Sequence, residues 1–491
     1  MNGEAIAMSV TPSSTCAGRT AAQRMTLLRL IRLATVVAAL AMVAAEVTRD
    51  SNPAAQQPGY PEFELTTTIG DGFTIASVGD LIMAFPASKL ADPAHQAAFD
   101  LIRNADVGYA NMESTILDGS RWQGESAGPF LGTPDVAADV KALGFDIVAR
   151  SNNHSGEFGL EGLLETNDRL EAAGVASAGS GTSYWAARAP RFITTSKGRV
   201  GLVATASSFS ARVVADKGRG EWKGRGGASA LRTTRWWLMP PSKWAAVTTI
   251  REAFPTGGGL YAPEGETEDE VTILRQRFRK ADVDSPQWSY EINEEDLNDI
   301  LAMVREGKVK SDFMTVGIHS HETQGANGVW PEIDPIPGDF LPVFAKATID
   351  AGADAFFGSG VHVLRGIEIY KDRPIFYGLG EFFRQMDIVG PAAWGGRGQG
   401  GTFRGERNSN PLKYESVIAV SEFAGGKLKE VRLYPTDLGH NARMAHRGIP
   451  RLASPEVAAR VLDRLRKLSE PYGTTIEVDG SVGVIRPRQG V

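Results

Sequence analysis

Six short apolar runs rich in β-branched and aromatic residues recur along the chain, and five of them end in residues of metal-ligand type. Phe73 to Val78 ends in Gly79-Asp80, and the run from Asp106 through Asn111 and Met112 meets Glu113. Phe145 to Val148 leads to Asn152-Asn153-His154, and Phe313 to Ile318 delivers His319-Ser320-His321-Glu322. Ala353 to Phe357 leads through Gly358, Ser359, Gly360 and Val361 to His362, whereas Val200 to Thr205 has only hydroxyls at its tip. Runs of this length and composition predict buried strands. A helical pattern such as that from about Gly162 to Ala173 makes the unit strand, polar loop and helix. That order predicts an α/β fold with ligands held at the carboxyl ends of the strands.

Single members of the set are ambiguous. Asn152-Asn153-His154 suits a site loop, or an Asx-rich turn whose amides cap the next helix. Asp80 suits a carboxylate exposed at the sheet's edge and able to hold a cation, or a turn aspartate capping a helix. Together, carboxylate, amide and imidazole donors suit a centre of one or two divalent ions, with Mn, Fe or Zn fitting better than Ca. Such a centre lowers the pKa of a bound water and polarises a phosphoryl or carbonyl oxygen. His154, next to the ligand candidate Asn153, is placed to protonate a leaving group. If the strand persists through His319-Ser320-His321, its period of two puts both imidazoles on one face, as a shared metal requires.

Composition narrows the setting. With 491 residues, 42% of them hydrophobic, the chain can bury one large core with insertions, or two to three domains. A net charge of −6 without long runs of one sign argues against a nucleic-acid partner. Cys16 is the only cysteine, so neither an intrachain disulfide nor a cysteine zinc site can form. From Met25, Arg29 and Arg32 precede an apolar run from Leu33 to Ala45 that ends in small residues. Residues 1–47 therefore read as a leader carrying a secretory signal peptide, cleaved or kept as an anchor, with a buried amphipathic helix as the alternative. The protein is expected to be exported: periplasmic, extracellular or membrane-anchored. Residues 48–71, rich in Ser, Asn, Pro, Gln and Gly, read as a linker.

Ordered motifs then carry a resemblance. Gly79-Asp80, Ala105-Asp106 to Asn111-Met112-Glu113, Asn152-Asn153-His154 to Gly159, and Ala178-Gly179-Ser180-Gly181 resemble the CapA family of capsule and poly-γ-glutamate synthesis proteins. So do His319, Gly352-Ala353-Asp354 to His362-Val363-Leu364-Arg365-Gly366-Ile367-Glu368, and Arg373 to Gly380. The family is similar to the calcineurin-like metallophosphoesterases. The resemblance implies a four-layer α/β/β/α sandwich with a metal site at the strand ends. By position, Asp80 and His362 are expected to hold a first metal, Glu113 to bridge, and Asn153 and His319 to hold a second. Asn111, Asn152 and Glu381 flank these positions and are expected to contact substrate. The implied partners are a cell-surface polymer or its phosphorylated or acyl precursor, with membrane-bound synthesis proteins. The chain departs from the family pattern in four places. Ser359 and Val361 stand where Gly-His-x-Pro-His is usual, and Glu381 stands where Leu-Gly-Asn-Phe has asparagine. Glu157 replaces an aspartate, and Ser320-His321 replaces Trp-Gly. Loss of an imidazole at Ser359 leaves two readings of His321: a replacement ligand reaching the same ion, or a surface histidine.

The core domain is expected over 72–435, interrupted by an irregular insertion at about 207–310 that is rich in Gly and Trp. Its tryptophans suit either a small satellite core or contact with a polymer. A C-terminal extension, 436–491, is expected to hold a helix begun by Ser454-Pro455 and a hairpin turning at Asp479-Gly480. Gly124-Glu-Ser126-Ala-Gly128 matches the serine-esterase elbow by letters, but no strand precedes it and Pro129 follows. Gly396-x-Gly398-x-x-Gly401 likewise lacks the strand and helix of a dinucleotide fingerprint.

Overall fold

The computed structural model describes residues 68–126, 128–254, 265–325, 333–385 and 410–487. The leader 1–47, the linker up to residue 67 and the glycine-rich segment 396–401 lie outside the described residues. Among the described residues no helix is long and apolar enough to cross a membrane.

Two sheets form the body. In the first, strand Phe73–Ile82 pairs in parallel with Val107–Met112, followed outward by Ile147–Ala149 and Ala176–Ala178. On its other side lies the antiparallel ribbon of Glu415–Ala424 and Lys427–Asp437, and Glu381–Arg384 joins it in parallel near its end. In the second sheet, Phe313–Ser320 lies between the parallel strands Gly198–Ala206 and Ala355–Gly360. The hairpin Ile367–Tyr370 and Arg373–Phe376 flanks Ala355–Gly360. Its turn residues Lys371 and Asp372 have φ of 49° and 58°, the left-handed pair that a two-residue hairpin turn requires.

Period-two alternation sorts each strand's side chains between two cores. Phe73 and Ile75 face the second sheet and pack with Leu202, Ala204 and Phe357. Ala76 and Val78 face outward to Ala98, Phe99 and Ile102 of helix Pro93–Arg103. On the far side, Ile300, Leu301 and Val304 of helix Glu294–Val309 cover Val316, Ile318 and Phe356, together with Phe340, Leu341 and Phe344 of helix Phe340–Asp350. Helix, sheet, sheet, helix is the four-layer sandwich. Tyr109 and Phe357 stack across its middle with ring centroids 4.4 Å apart.

The segment between the two halves is more ordered than its composition suggests. Strands Thr233–Met239, Glu270–Ile273, Gln276–Lys280 and Gln287–Ile292 form a four-stranded sheet. Trp244 and Val247 of helix Pro241–Ala253 pack with Val271 and Ile273 as a satellite core, whereas Trp222 stands 73% exposed. At the C-terminus, Ser454 Oγ caps helix Pro455–Ser469 by accepting from the Val457 N–H. A cap of this kind contributes about 1 kcal/mol. The helix sends Val461, Leu462 and Leu465 into the core between the sheets. The hairpin Glu477–Asp479 and Val482–Ile485, with Gly480 at φ 61°, extends the first sheet.

Candidate metal centre

The carboxyl ends of the parallel strands from both sheets meet in one place. Register sets Asp80 beside Asn111 in the first sheet and His319 beside Ser359 in the second. Gly79 is required for this, because a Cβ there would stand 1.7 Å from the Gly380 carbonyl oxygen. That close approach lets the Asp80 N–H donate to Gly380 at 3.2 Å and brings Glu381 alongside.

Asp80 differs from the exposed edge carboxylate expected of it. The strand continues to Ile82, a register shift falls between Ser77 and Asp80, and the side chain has no accessible surface. Its Oδ1 accepts from Asn111 Nδ2 at 2.7 Å and its Oδ2 from the Gly360 N–H at 3.0 Å. His319 Nδ1 lies 3.6 Å from Oδ1.

Four other donors converge with little between them. His319 Nε2 lies 2.9 Å from Asn153 Oδ1, 3.1 Å from His321 Nε2 and 3.7 Å from Glu113 Oε1. Glu113, His319 and His321 present ligand atoms that all lie within 4.8 Å of one another. Glu113 is fully buried, and neither carboxylate oxygen receives a hydrogen bond among the described residues. Burial, reinforced by Asp80, Glu381 and Glu157, holds its pKa well above the usual carboxylate range. Burial also lowers His319, against the pull of Asp80, and lowers His321 further with the neighbouring His319 and His362 rings. Imidazoles kept neutral are in the state that cation ligands require, whereas Glu113 must release its proton as a cation binds.

His154 sits at the opening of the cluster. Its Nδ1 is 2.5 Å from Glu157 Oε1, its Nε2 is 3.6 Å from Glu113 Oε1, and its ring stacks on Phe130 at 3.8 Å. Glu157 Oε2 also accepts from the Phe130 N–H at 2.8 Å, so one carboxylate holds the His154 ring and the Phe130 backbone. In the sequence Glu157 stands out only as a departure from the family pattern. Its spacing of three residues from His154 is the signal for the pair.

The three residues expected at substrate each bond to neighbours in the frame of the site. Asn111 is spent on Asp80 and on His319 Nδ1, at 3.2 Å. Asn152 donates to the Met112 carbonyl, and its Oδ1 accepts from the His154 N–H and from Ser155 Oγ, an Asx turn in the loop. Glu381 is fully buried and paired with Arg384. Against the upward push of burial, Arg384 and His362 bring its pKa down to about 2. His362 Nδ1 lies 2.5 Å from Glu381 Oε1 but outside hydrogen-bonding geometry. Its ring centroid is 5.4 Å from that of His321. The structure thus gathers Asn153, His321 and Glu113 around His319 Nε2, with Asp80 behind them and His362 turned to Glu381. Ser359 Oγ takes the space beside His319 Nδ1, at 3.2 Å.

These donors fit a divalent ion. A tetrahedral site with bonds of about 2.0–2.1 Å has edges of about 3.3 Å. The contacts of His319 Nε2 with Asn153, His321 and Glu113 range from 2.9 to 3.7 Å. One carboxylate, one amide oxygen and two imidazoles is also the hard and borderline donor set of Mn, Fe and Zn. A cleft of about 1000 Å³ opens beside the cluster, with Ser207, Ser208, Arg235, Trp288, His321 and Glu322 in its wall. Sequence reading missed the two serines, which donate to Glu322 Oε2 at 2.7 and 3.0 Å.

The profile of the family described as bacterial capsule synthesis protein PGA_cap matches residues 74–386, a span that includes every residue of the centre. Uncharacterized protein y4sH of Sinorhizobium fredii is 37% identical over 449 residues, covering 86% of this chain and 94% of that protein. Capsule biosynthesis protein CapA of Bacillus anthracis is 21% identical over 317 residues, 63% of this chain and 59% of its own. The "Probable polyglutamine synthesis accessory protein MT0602" of Mycobacterium tuberculosis is 26% identical over 285 residues, 58% of this chain and 57% of its own. With two sheets delivering the donor set and the match running through it, the chain belongs to the bacterial capsule synthesis protein family PGA_cap.

Proposed function

We propose that the chain is an exported, metal-dependent hydrolase or transferase of cell-surface polymer synthesis, acting on a phosphoester or on an amide or acyl link. The observation that carries the chemistry is the convergence of Asn153 Oδ1, His321 Nε2 and Glu113 Oε1 on His319 Nε2, with no hydrogen-bond donor to Glu113 among the described residues. Bound by these four residues, Mn, Fe or Zn would supply a Lewis acid for the phosphoryl or carbonyl oxygen. Asp80, through Asn111, holds the His319 ring from behind. His154 has its Nδ1 committed to Glu157, so Nε2 is the atom that passes a proton to the leaving group. The cleft beside His321 receives the polymer or its phosphorylated or acyl precursor. The capsule and polyglutamine synthesis named for its relatives support that substrate class and suggest membrane-bound synthesis partners. Export rests on the arginine-flanked apolar run at 33–45.

A second reading, a polymer-binding or assembly module without catalysis, is favoured by the other half of the site. Both Asp80 oxygens are taken by protein donors, Ser359 replaces an imidazole, and His362 faces Glu381. Elemental analysis of the purified chain separates the two. Near-stoichiometric metal that is lost in His319→Ala, with phosphodiester hydrolysis lost in His154→Ala, supports the enzyme. A chain that takes up no Mn, Fe or Zn leaves the binding module.

A further inference from the structure

Glu113 and His321 share an awkward position. Each is the first residue past the end of its strand, Val107–Met112 for Glu113 and Phe313–Ser320 for His321. The regular ladder that aims side chains along a strand therefore ends at both, apart from the Glu113 and Ser114 N–H groups, which share the Leu81 carbonyl at 3.2 and 3.4 Å. Further bonds on the carbonyl side of each backbone are needed if the side chains are to hold an ion in place.

A buried arginine straddles each of them. Arg150 Nη1 donates to the carbonyls of Met112, at 2.6 Å, and Ser114, at 3.1 Å, the residues on either side of Glu113. Arg365 Nη1 donates to the carbonyl of Ser320, at 3.3 Å, and Nη2 to that of Glu322, at 2.9 Å, the residues on either side of His321. Both side chains are 0% exposed, and neither forms an ion pair among the described residues. An arginine buried without a carboxylate is costly, and burial brings each guanidinium down to about 10. Arg150 Nε and Nη2 and Arg365 Nε have no hydrogen-bond partner among the described residues. Arg365 bridges its two carbonyls with both prongs of its planar fork, whereas Arg150 reaches both of its carbonyls with the two hydrogens of one nitrogen. At His321 a third restraint completes the frame, because its N–H donates to Ser208 Oγ at 2.8 Å.

We propose that Arg150 and Arg365 are paired positioning residues that clamp the backbone on either side of Glu113 and of His321, setting these two ligands on opposite flanks of the metal centre. The inference rests on the metal reading above. Each clamp acts through one ligand only, so its loss should be felt through that ligand only.

Titration of purified, chelator-treated protein with Mn or Zn tests this, with thermal unfolding of each variant recorded alongside. Arg365→Gln is expected to weaken metal binding 10- to 100-fold, the range for residues that orient ligands. In a His321→Ala background the same change should add less than twofold, whereas in a Glu113→Gln background it should keep its full effect. Arg150→Gln should show the reverse pattern, silent with Glu113→Gln and additive with His321→Ala. General loosening of the fold would be additive in both backgrounds, and that result overturns the proposal. So does Mn or Zn affinity within twofold of the parent in both arginine variants. Where a Gln variant is not recovered folded, Arg150→Lys or Arg365→Lys carries the same cycle, because lysine keeps the charge without the fork. If the parent chain binds neither metal, the metal reading fails and the clamps fail with it; metal binding with additive cycles removes the clamps alone.

Discussion

The Nε2 atoms of His319 and His321 stand 3.1 Å apart, although the two residues are separated by only one position along the chain. Strand Phe313–Ser320 ends between them, so the shared face comes from one strand residue and one residue of the following turn. Two neutral imidazoles can share that contact only if one donates and the other accepts. The accepting Asn153 Oδ1 lies 2.9 Å from the same His319 nitrogen, so a cation satisfies the group better than a single proton does.

His321 is expected to contribute to metal content as His319 does. His321→Ala should bind Mn or Zn at least about tenfold more weakly, and His319→Ala should abolish binding, as read by elemental analysis and calorimetric titration. A His321→Ala protein with parental metal content and affinity would restore the surface-histidine reading.

His154 and Glu157 should act as a unit. His154→Ala is expected to lower phosphodiester turnover by about 10²- to 10⁴-fold with metal content unchanged. Glu157→Gln should lower turnover less and shift its pH profile, because the 2.5 Å contact to Nδ1 loses its charge. Equal losses of metal and turnover in His154→Ala would place His154 among the ligands instead.

Glu113 should make the metal-free chain sensitive to pH. Its folded pKa is raised well above the ordinary 4.5, so the folded state binds this proton more tightly than the unfolded state does. The resulting stability is fully present below about 4.5 and is lost as pH rises through the folded value. Glu113→Gln should therefore gain in Tm over the parent as pH rises from 5 to about 8 in the presence of chelator. A Tm difference that is constant over this range, or that shrinks, contradicts the buried and undonated carboxylate.

The stack of Tyr109 on Phe357 joins the two sheets across the central core. Phe357→Ala should cost about 3–5 kcal/mol in denaturant unfolding, the range for a buried aromatic removed from a close-packed core. A loss under about 1 kcal/mol would mean that the core collapses around the site.

Much of the frame was legible locally. Apolar runs with β-branched residues mark Phe73–Ile82, Phe313–Ser320 and Ala355–Gly360, and the cap at Ser454 and the turns at Lys371-Asp372 and Gly480 follow from short-range chemistry. The strand-end residues Glu113, Asn153 and His319 could be picked out because ligand-type side chains after buried strands are unusual in number. Other features had no local signature. Asn152 takes the turn role that its residue type also allowed, and Asp80 is carried inside by a strand that runs four residues beyond its apolar run.

The sequence by itself determined which residues are apolar with a period of two, where turns and caps fall, and which donors stand at strand ends, because these depend on neighbours a few positions away. Only the tertiary structure decided that Glu113 and His319, 206 positions apart, face one another, and that His362 turns to Glu381 instead of joining them. It also decided that Arg150 and Arg365 lie under Glu113 and His321. Those relations arise from the pairing of strands within each sheet and the stacking of one sheet on the other. That packing is set by the burial of all the core residues together, and no single stretch of chain encodes it.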